Sequence, residues 1–490
     1  MSAHEALIAE LREVDNLAAA ARLLNWDQET GMPEGGESAR AEVVSTLAKL
    51  VHERSVAPKL SDLAAAAREE ASTPDRKRQV ELVERDLERA RKVPGELVER
   101  LARATSLSQQ VWARARKERD FAAFLPRLEE VVELKKEEGR LLAPEGGSVY
   151  DGLLSDYERG MRESDWSTLF DELERELPAL AREIHERQAP VRERLAGISA
   201  LRGPFGREAQ LKLCRALAEA LGYDFSRGRL DLSAHPFSET IHAGDSRITT
   251  RVDESDLRGS VYSTLHETGH ALYEQGLPEE LSGTPLGAYC SMSVHESQSR
   301  LWENLVGRSD EFWDARWDRV RDAFPDLAAA GPRAWAEHSR RVEPSLIRTE
   351  SDEVTYNLHV LVRFRLERAL FAGDISPADL PGAWDEAYRK ALGIAPSHVG
   401  EGVMQDVHWS AGLFGYFPTY TLGNLLSAQL LDAATAAGVD DRGPQLLSWL
   451  RAKVHRRGRF LETPDLVVEA TGAPPSARAF LAHLRRRYLG

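Results

Sequence analysis

Two histidines four residues apart, with a glutamate beside the first, are the residues of this chain best suited to chemistry: His266-Glu267-Thr268-Gly269-His270. On a helix, positions four apart share one face, so both imidazoles can offer a nitrogen to a single metal ion. Glu267 follows the first histidine, where its carboxylate can reach a water polarised by the ion without occupying the ion itself. That is the placement of a general base in metal-assisted hydrolysis. Two surface histidines and a solvated glutamate would give the same letters, so a third ligand is needed. A catalytic zinc site takes three protein ligands and leaves one position open. The segment SMSVHESQSRLWENLVGR offers His295 and Glu296. Glu296, on a second and antiparallel helix, is the expected third ligand, and His295 is the alternative.

The elements that must position these groups are helical. The stretch around the two histidines, LRGSVYSTLHETGHALYEQG, carries Leu257, Val261, Leu265 and Leu272 on one stripe, with Gly276 and Pro278 as a stop. Up to about Leu142 the chain is dominated by Ala, Leu, Glu and Arg at three- and four-residue spacing, punctuated by Pro94-Gly95 and Pro126. Pro144-Glu145-Gly146-Gly147 marks a break, and further helices are expected from about Glu163 to Gly222. Between Asp231 and Arg251 the texture turns short-period and Thr/Ser-rich, which predicts a small β-hairpin or paired extended segments. Helical texture resumes near Leu257 and is expected to run to the end. The fold class is therefore mostly α: a single large helical domain over 1–490, comprising an N-terminal part (1–145) and a catalytic part (146–490), with a small β-hairpin insert.

Bulk properties narrow the function. The chain has 490 residues, 42% hydrophobic and 29% charged, enough for a substantial core. With 64 basic and 79 acidic side chains the formal net charge is −15, which argues against nucleic acid or an anionic membrane as a main partner. No apolar run approaches bilayer length. The opening MSAHEALIAELREVDN lacks the basic start and apolar core of a secretory signal, so a cytoplasmic protein is expected. Cys214 and Cys290 are too few for a disulfide framework or a thiolate metal site, which leaves His and carboxylate ligands.

Further segments carry a resemblance. HPF at His235–Phe237, DSRIT at Asp245–Thr249, HETGH at 266–270, HESQ at His295–Gln298, IRTESDE at Ile347–Glu353 and GVMQDVHW at Gly402–Trp409 appear in order. Together with LLNWDQETGMP around Trp26 and Asp27, they resemble the thermostable carboxypeptidase Taq family of zinc metallocarboxypeptidases along nearly the whole chain. One departure is Ser351, where that family usually has Ala before the Asp. The resemblance implies a helical fold with a deep active-site groove, zinc (or cobalt in its place) held by His266, His270 and Glu296, and Glu267 as general base. It also implies release of single residues from peptides with a free C-terminus, and a homodimer. The hairpin is expected near the zinc site, and residues 1–145 are expected to cover the groove and contribute to dimerisation.

Such an enzyme must hold a carboxylate, which the planar fork of Arg does best. Arg348 and Arg247 lie in the family-like motifs, and Asp245 is expected to orient Arg247. His408 and Tyr420 are the expected donors to the oxyanion, with Tyr416 in reserve. His235 is expected to shape the substrate pocket, and Gln405 and Asp406 to organise residues around it. Two other functions fit the metal motif alone: an endo-acting helical oligopeptidase, and a helical scaffold with a vestigial metal site.

Overall fold

The computed structural model describes residues 1–439 and 443–490. It divides into two compact units, each built from three stretches of chain. The first comprises residues 1–90, 194–339 and 427–474; the second comprises 91–193, 340–426 and 475–490. The boundaries of these units differ from the break read at Pro144–Gly147. Among the described residues no helix is long and apolar enough to cross a membrane.

In the first unit, three N-terminal helices (Ala3–Thr30, Glu37–Ser55 and Pro58–Glu70) pack together. Leu7, Leu60, Ala64, Ala67, Val80, Val83 and Leu87 form a core cluster there. The helix Ala3–Thr30 begins with a reciprocal capping box, Ser2 Oγ accepting from Glu5 N while the Glu5 carboxylate accepts from Ser2 N.

The short-period segment folds as three strands rather than a hairpin alone: β1 (Leu230–Leu232), β2 (Ser238–His242) and β3 (Asp245–Thr250), in the order β1-β3-β2. β2 and β3 form the expected hairpin, Ser238 opposite Ile248 and Glu239 opposite Arg247. Gly244 takes the turn with φ 87°, a conformation L side chains avoid. β1 adds parallel to β3, Leu230 opposite Ile248. The sheet packs on the helix Leu257–Glu274, where Thr250 Oγ1 donates to Ser260 O at 3.1 Å.

The second unit is organised by helix Glu163–Arg187. Its Trp166, Leu169, Phe170, Leu173, Leu177, Leu180, Ala181 and Ile184 form one buried stripe at three- and four-residue spacing. Phe170 stacks on Phe364 of helix Tyr356–Ala372 with centroids 4.3 Å apart. The texture predicts helix from about Leu257 to the end, but the helical structure is interrupted. Residues 340–355 and 393–416 contain no α-helix, although both carry family-like motifs. Turns satisfy much of their backbone, and buried side chains satisfy further groups: Arg348 N donates to Gln405 Oε1, and Gly415 N donates to the Glu367 carboxylate.

Candidate metal centre and its surroundings

The helix that carries HETGH spans Leu257–Glu274. Asp256 caps it, its carboxylate accepting from Arg258 N at 2.9 Å. A second helix, Met292–Arg300, starts at Ser291, whose Oγ accepts from Val294 N at 3.2 Å, and passes into a π-helical turn over Leu301–Val306. Turns of that kind recur at functional sites. The two helices approach closely at Gly269: a Cβ there would lie 2.6 Å from both Gln298 O and Ser299 Cα. The glycine of HETGH therefore serves packing. Backbone contact at this point brings the face with His266 and His270 together with the face carrying Glu296.

His266, His270 and Glu296 converge, with one ligand atom of each within 4.8 Å of the others. Both histidines turn Nε2 inward, 3.7 and 3.5 Å from Glu296 Oε2 respectively. His295, the alternative ligand, lies outside this triangle and bonds through Nδ1 to His270 Nδ1 at 2.5 Å. The donor set of two imidazoles and one carboxylate suits zinc, and each histidine has its other nitrogen engaged by the protein. His266 Nδ1 is 2.9 Å from Glu303 Oε2.

Charges around the triangle are paired. Arg300 Nε donates to Glu296 Oε1 at 2.6 Å, and its Nη1 lies 3.2 Å from Glu303 Oε2. Arg308 Nη2 donates to Glu303 Oε1 at 3.1 Å while its guanidinium stacks over Tyr262. Burial pushes the Glu296 carboxyl up, but Arg300, His266 and His270 outweigh it and hold it well below the usual range. Glu303 likewise ends at about 2, burial being overcome by Arg300 and His266. His270 is driven down to about 3 by burial and by His295, so its imidazole is neutral, as a ligand must be. Burial also lowers His266, but Glu296, Glu303 and Glu267 outweigh it and its pKa rises. At Glu267 the compensation does not prevail. Burial, opposed by His266 and reinforced by Glu296 and Glu303, pushes it up to about 7.

Arg247 belongs to the same unit. Its Nε and Nη2 fork onto Asp245 at 2.8 and 2.7 Å, and its guanidinium lies 4.3 Å from the Trp26 ring centroid. Nη1 has no hydrogen-bond partner among the described residues. His235 is exposed in the turn before β2, its carbonyl accepting from Ser233 Oγ.

The second unit gathers Arg348, His408, Tyr416 and Tyr420. Arg348 sits 5.1 Å from the Tyr420 centroid, His408 is 5.5 Å from Tyr416, and Tyr416 is 5.2 Å from Tyr420. Asp406 lies between two arginines: Arg348 reaches Oδ1 through Nε and Nη2, and Arg363 Nε reaches Oδ2 at 2.7 Å. Arg348 Nη1 donates to Tyr356 Oη, so all three of its nitrogens are bonded. Two arginines around one buried carboxylate leave a positive excess. His408 is pushed down to about 4 by burial and then by Arg348, so it is neutral and donates from one nitrogen only.

A metal triangle on two packed helices, beside a buried glutamate of raised pKa, fits a metallopeptidase. The sequence pattern of carboxypeptidase Taq (M32) metallopeptidases matches residues 6–488. The chain belongs to this family. It is 43% identical to thermostable carboxypeptidase 1 of Thermus thermophilus, over 99% of this chain and 98% of that protein. Among solved structures, the M32 carboxypeptidase of Deinococcus radiodurans superposes with a TM-score of 0.93 at 38% identity, covering 99% of this chain and 98% of that one. Trypanosoma cruzi metallocarboxypeptidase 1 gives 0.95 at 33% identity, covering 100% and 99%. This M32 member is a metal-dependent carboxypeptidase, a peptide hydrolase that takes a divalent ion and acts on peptides.

Sequence reasoning missed Glu303, Arg300 and Arg308, and also Glu274, whose Oε1 lies 2.8 Å from His295 Nε2. Three had a signal. Glu303 and Arg300 lie seven and four residues beyond Glu296, and Glu274 lies four beyond His270, each one or two turns along a face already singled out.

Proposed function

We propose that the ion is zinc, with cobalt able to replace it, held by Nε2 of His266, Nε2 of His270 and the Glu296 carboxylate. The observation that carries this reading is the convergence of those three groups beside Glu267. When bound, zinc supplies Lewis-acid polarisation to the attacking water and the scissile carbonyl. Glu267 takes the proton of that water and returns it to the leaving amine. A group that must both accept and release a proton works best with a pKa near the operating pH, and burial raises Glu267 toward that range. Glu303 and Arg300 keep His266 and Glu296 in register.

Recognition of the substrate's free carboxylate is assigned to arginine, Arg348 and Arg247 being the two candidates. Arg247 is supported by its uncommitted Nη1 edge, Arg348 by the positive excess around Asp406. His408 and Tyr420, with Tyr416 in reserve, are assigned hydrogen-bond donation to the oxyanion, and His235 a place near the substrate terminus. Single-residue release with broad specificity, a homodimer, a cytoplasmic location and one peptidase domain over 1–490 are proposed from family membership.

The test pairs a peptide acid with its C-terminal amide, assayed with the zinc-loaded parent, Arg247→Lys and Arg348→Lys. Cleavage of the acid alone, with KM raised in one or both variants, is expected. Equal cleavage of acid and amide contradicts the carboxylate assignment.

A further inference from the structure

His270 is not oriented in the way His266 is. His266 donates from Nδ1 directly to a carboxylate, Glu303. His270 faces a second imidazole, its Nδ1 2.5 Å from His295 Nδ1, and the far nitrogen of that ring, His295 Nε2, lies 2.8 Å from Glu274 Oε1. All five residues are largely buried, with side-chain exposures of 11–19%.

Two ring nitrogens in contact bond only if one carries hydrogen and the other does not. A carboxylate only accepts, so Nε2 of His295 carries the hydrogen, which leaves Nδ1 as the acceptor of that ring. The hydrogen between the rings therefore sits on His270 Nδ1. That leaves His270 Nε2 with its lone pair free, and Nε2 is the nitrogen that faces Glu296. The direction of each bond follows from the one before it, starting at Glu274. The His295 ring packs against Tyr273 and Tyr289, with centroids 5.3 and 4.8 Å away.

We propose that His295 and Glu274 form a positioning relay that fixes His270 as the tautomer able to bind metal. They contact neither metal nor substrate. The relay is set within the helix pair: Glu274 lies four residues beyond His270, and His295 immediately precedes the ligand Glu296. One ligand histidine is thus oriented by a carboxylate directly, and the other by a carboxylate acting through an intervening imidazole. The inference rests on the ligand set proposed above.

The test is zinc affinity, measured by competition with a chromophoric chelator on the full chain, alongside unfolding of the metal-free protein. His295→Phe keeps the ring contacts with Tyr273 and Tyr289 but removes the acceptor. It is expected to weaken zinc binding about 10- to 100-fold, the usual loss when a partner of a ligand histidine is removed. Glu274→Ala should weaken binding comparably, whereas Glu274→Gln, whose amide oxygen still accepts from His295, should lose less. Because the two residues act in series, His295→Phe combined with Glu274→Ala should be no weaker than His295→Phe alone. If His295→Phe fails to fold, the contrast between Glu274→Gln and Glu274→Ala decides. His270→Ala separates the two proposals: unchanged affinity there overturns the ligand set itself. Lost binding in His270→Ala with affinity within threefold of the parent in His295→Phe, or with Glu274→Gln and Glu274→Ala alike, keeps the ligands and overturns the relay.

Discussion

Gly269→Ala tests whether the metal site depends on the closeness of its two helices. The added Cβ would lie 2.6 Å from Gln298 O, 2.6 Å from Ser299 Cα and 2.9 Å from Gln298 C, all backbone atoms that no rotamer change can move. Comfortable carbon contacts lie at about 3.5–4.0 Å, so the helices must part by roughly 1 Å. Metal–ligand distances tolerate only about 0.2 Å, several times less than that displacement. His266 and His270 are on one helix and Glu296 on the other, so the triangle cannot follow the change intact. Overpacking should cost the metal-free protein about 1–3 kcal/mol, and zinc affinity should fall at least about tenfold. Gly259→Ala is the control on the same helix, since a Cβ there meets nothing within 4 Å. It should leave affinity unchanged and raise stability by up to about 1 kcal/mol. Chelator competition and urea unfolding of the metal-free forms measure both quantities. Gly269→Ala matching Gly259→Ala in both would refute the reasoning.

Two further predictions concern pH. Glu353 is buried among His483, Arg487 and Tyr488 of the C-terminal helix, its Oε1 2.9 Å from His483 Nε2 and its Oε2 3.1 Å from Arg487 Nη1. Burial raises its pKa, but Arg487 and His483 outweigh this and hold it well below the usual carboxylate range. A depressed native pKa gives stability that is present above the unfolded value of about 4.5 and lost as pH falls below it. Glu353→Gln should therefore cost about 3–5 kcal/mol at pH 7, with the gap narrowing between pH 5 and 3 in denaturant titrations. Glu367 has the opposite sign. It accepts from Tyr150 Oη, Trp409 Nε1 and Gly415 N, and burial pushes it up to about 7. The native state keeps its proton longer than the unfolded chain, so the stability it contributes falls by about 3 kcal/mol as pH rises from 4.5 to 7. Glu367→Gln should flatten that part of the stability profile, and an unchanged profile would contradict it.

What the sequence made legible was whatever sits on a regular element. The HETGH helix follows the apolar stripe and ends at the Gly276 stop, and the Asp231–Arg251 texture marks strands. Glu296 could be singled out because a catalytic zinc site takes a third protein ligand, and a carboxylate on the next helix can supply it. Tertiary pairings were not legible. Nothing local says that Glu303 bonds His266 from 37 residues away, or that His295 Nδ1 meets His270 Nδ1. β1 was missed because its parallel partner lies beyond a hairpin and three residues give no period. Residues 393–416 lie in the stretch from Leu257 onward where helical texture is expected, but Gly412 and Gly415, at φ 73° and 84°, force turns there. Arg348 could be named from its motif. That its fork already holds Asp406 is visible only once the chain is folded.

The central claim is that a divalent ion held by His266, His270 and Glu296 works with Glu267 to release residues from peptide C-termini. The most direct measurement is mass spectrometry of a mixed peptide pool incubated with the zinc-loaded protein, with chelator-treated protein and with zinc-loaded Glu267→Gln. The account predicts a ladder of C-terminally shortened products with the parent alone, and a fall of at least about a hundredfold in rate for Glu267→Gln at full zinc occupancy. A ladder that survives chelation, or a zinc-loaded Glu267→Gln protein that trims peptides at the parent's rate, would contradict it.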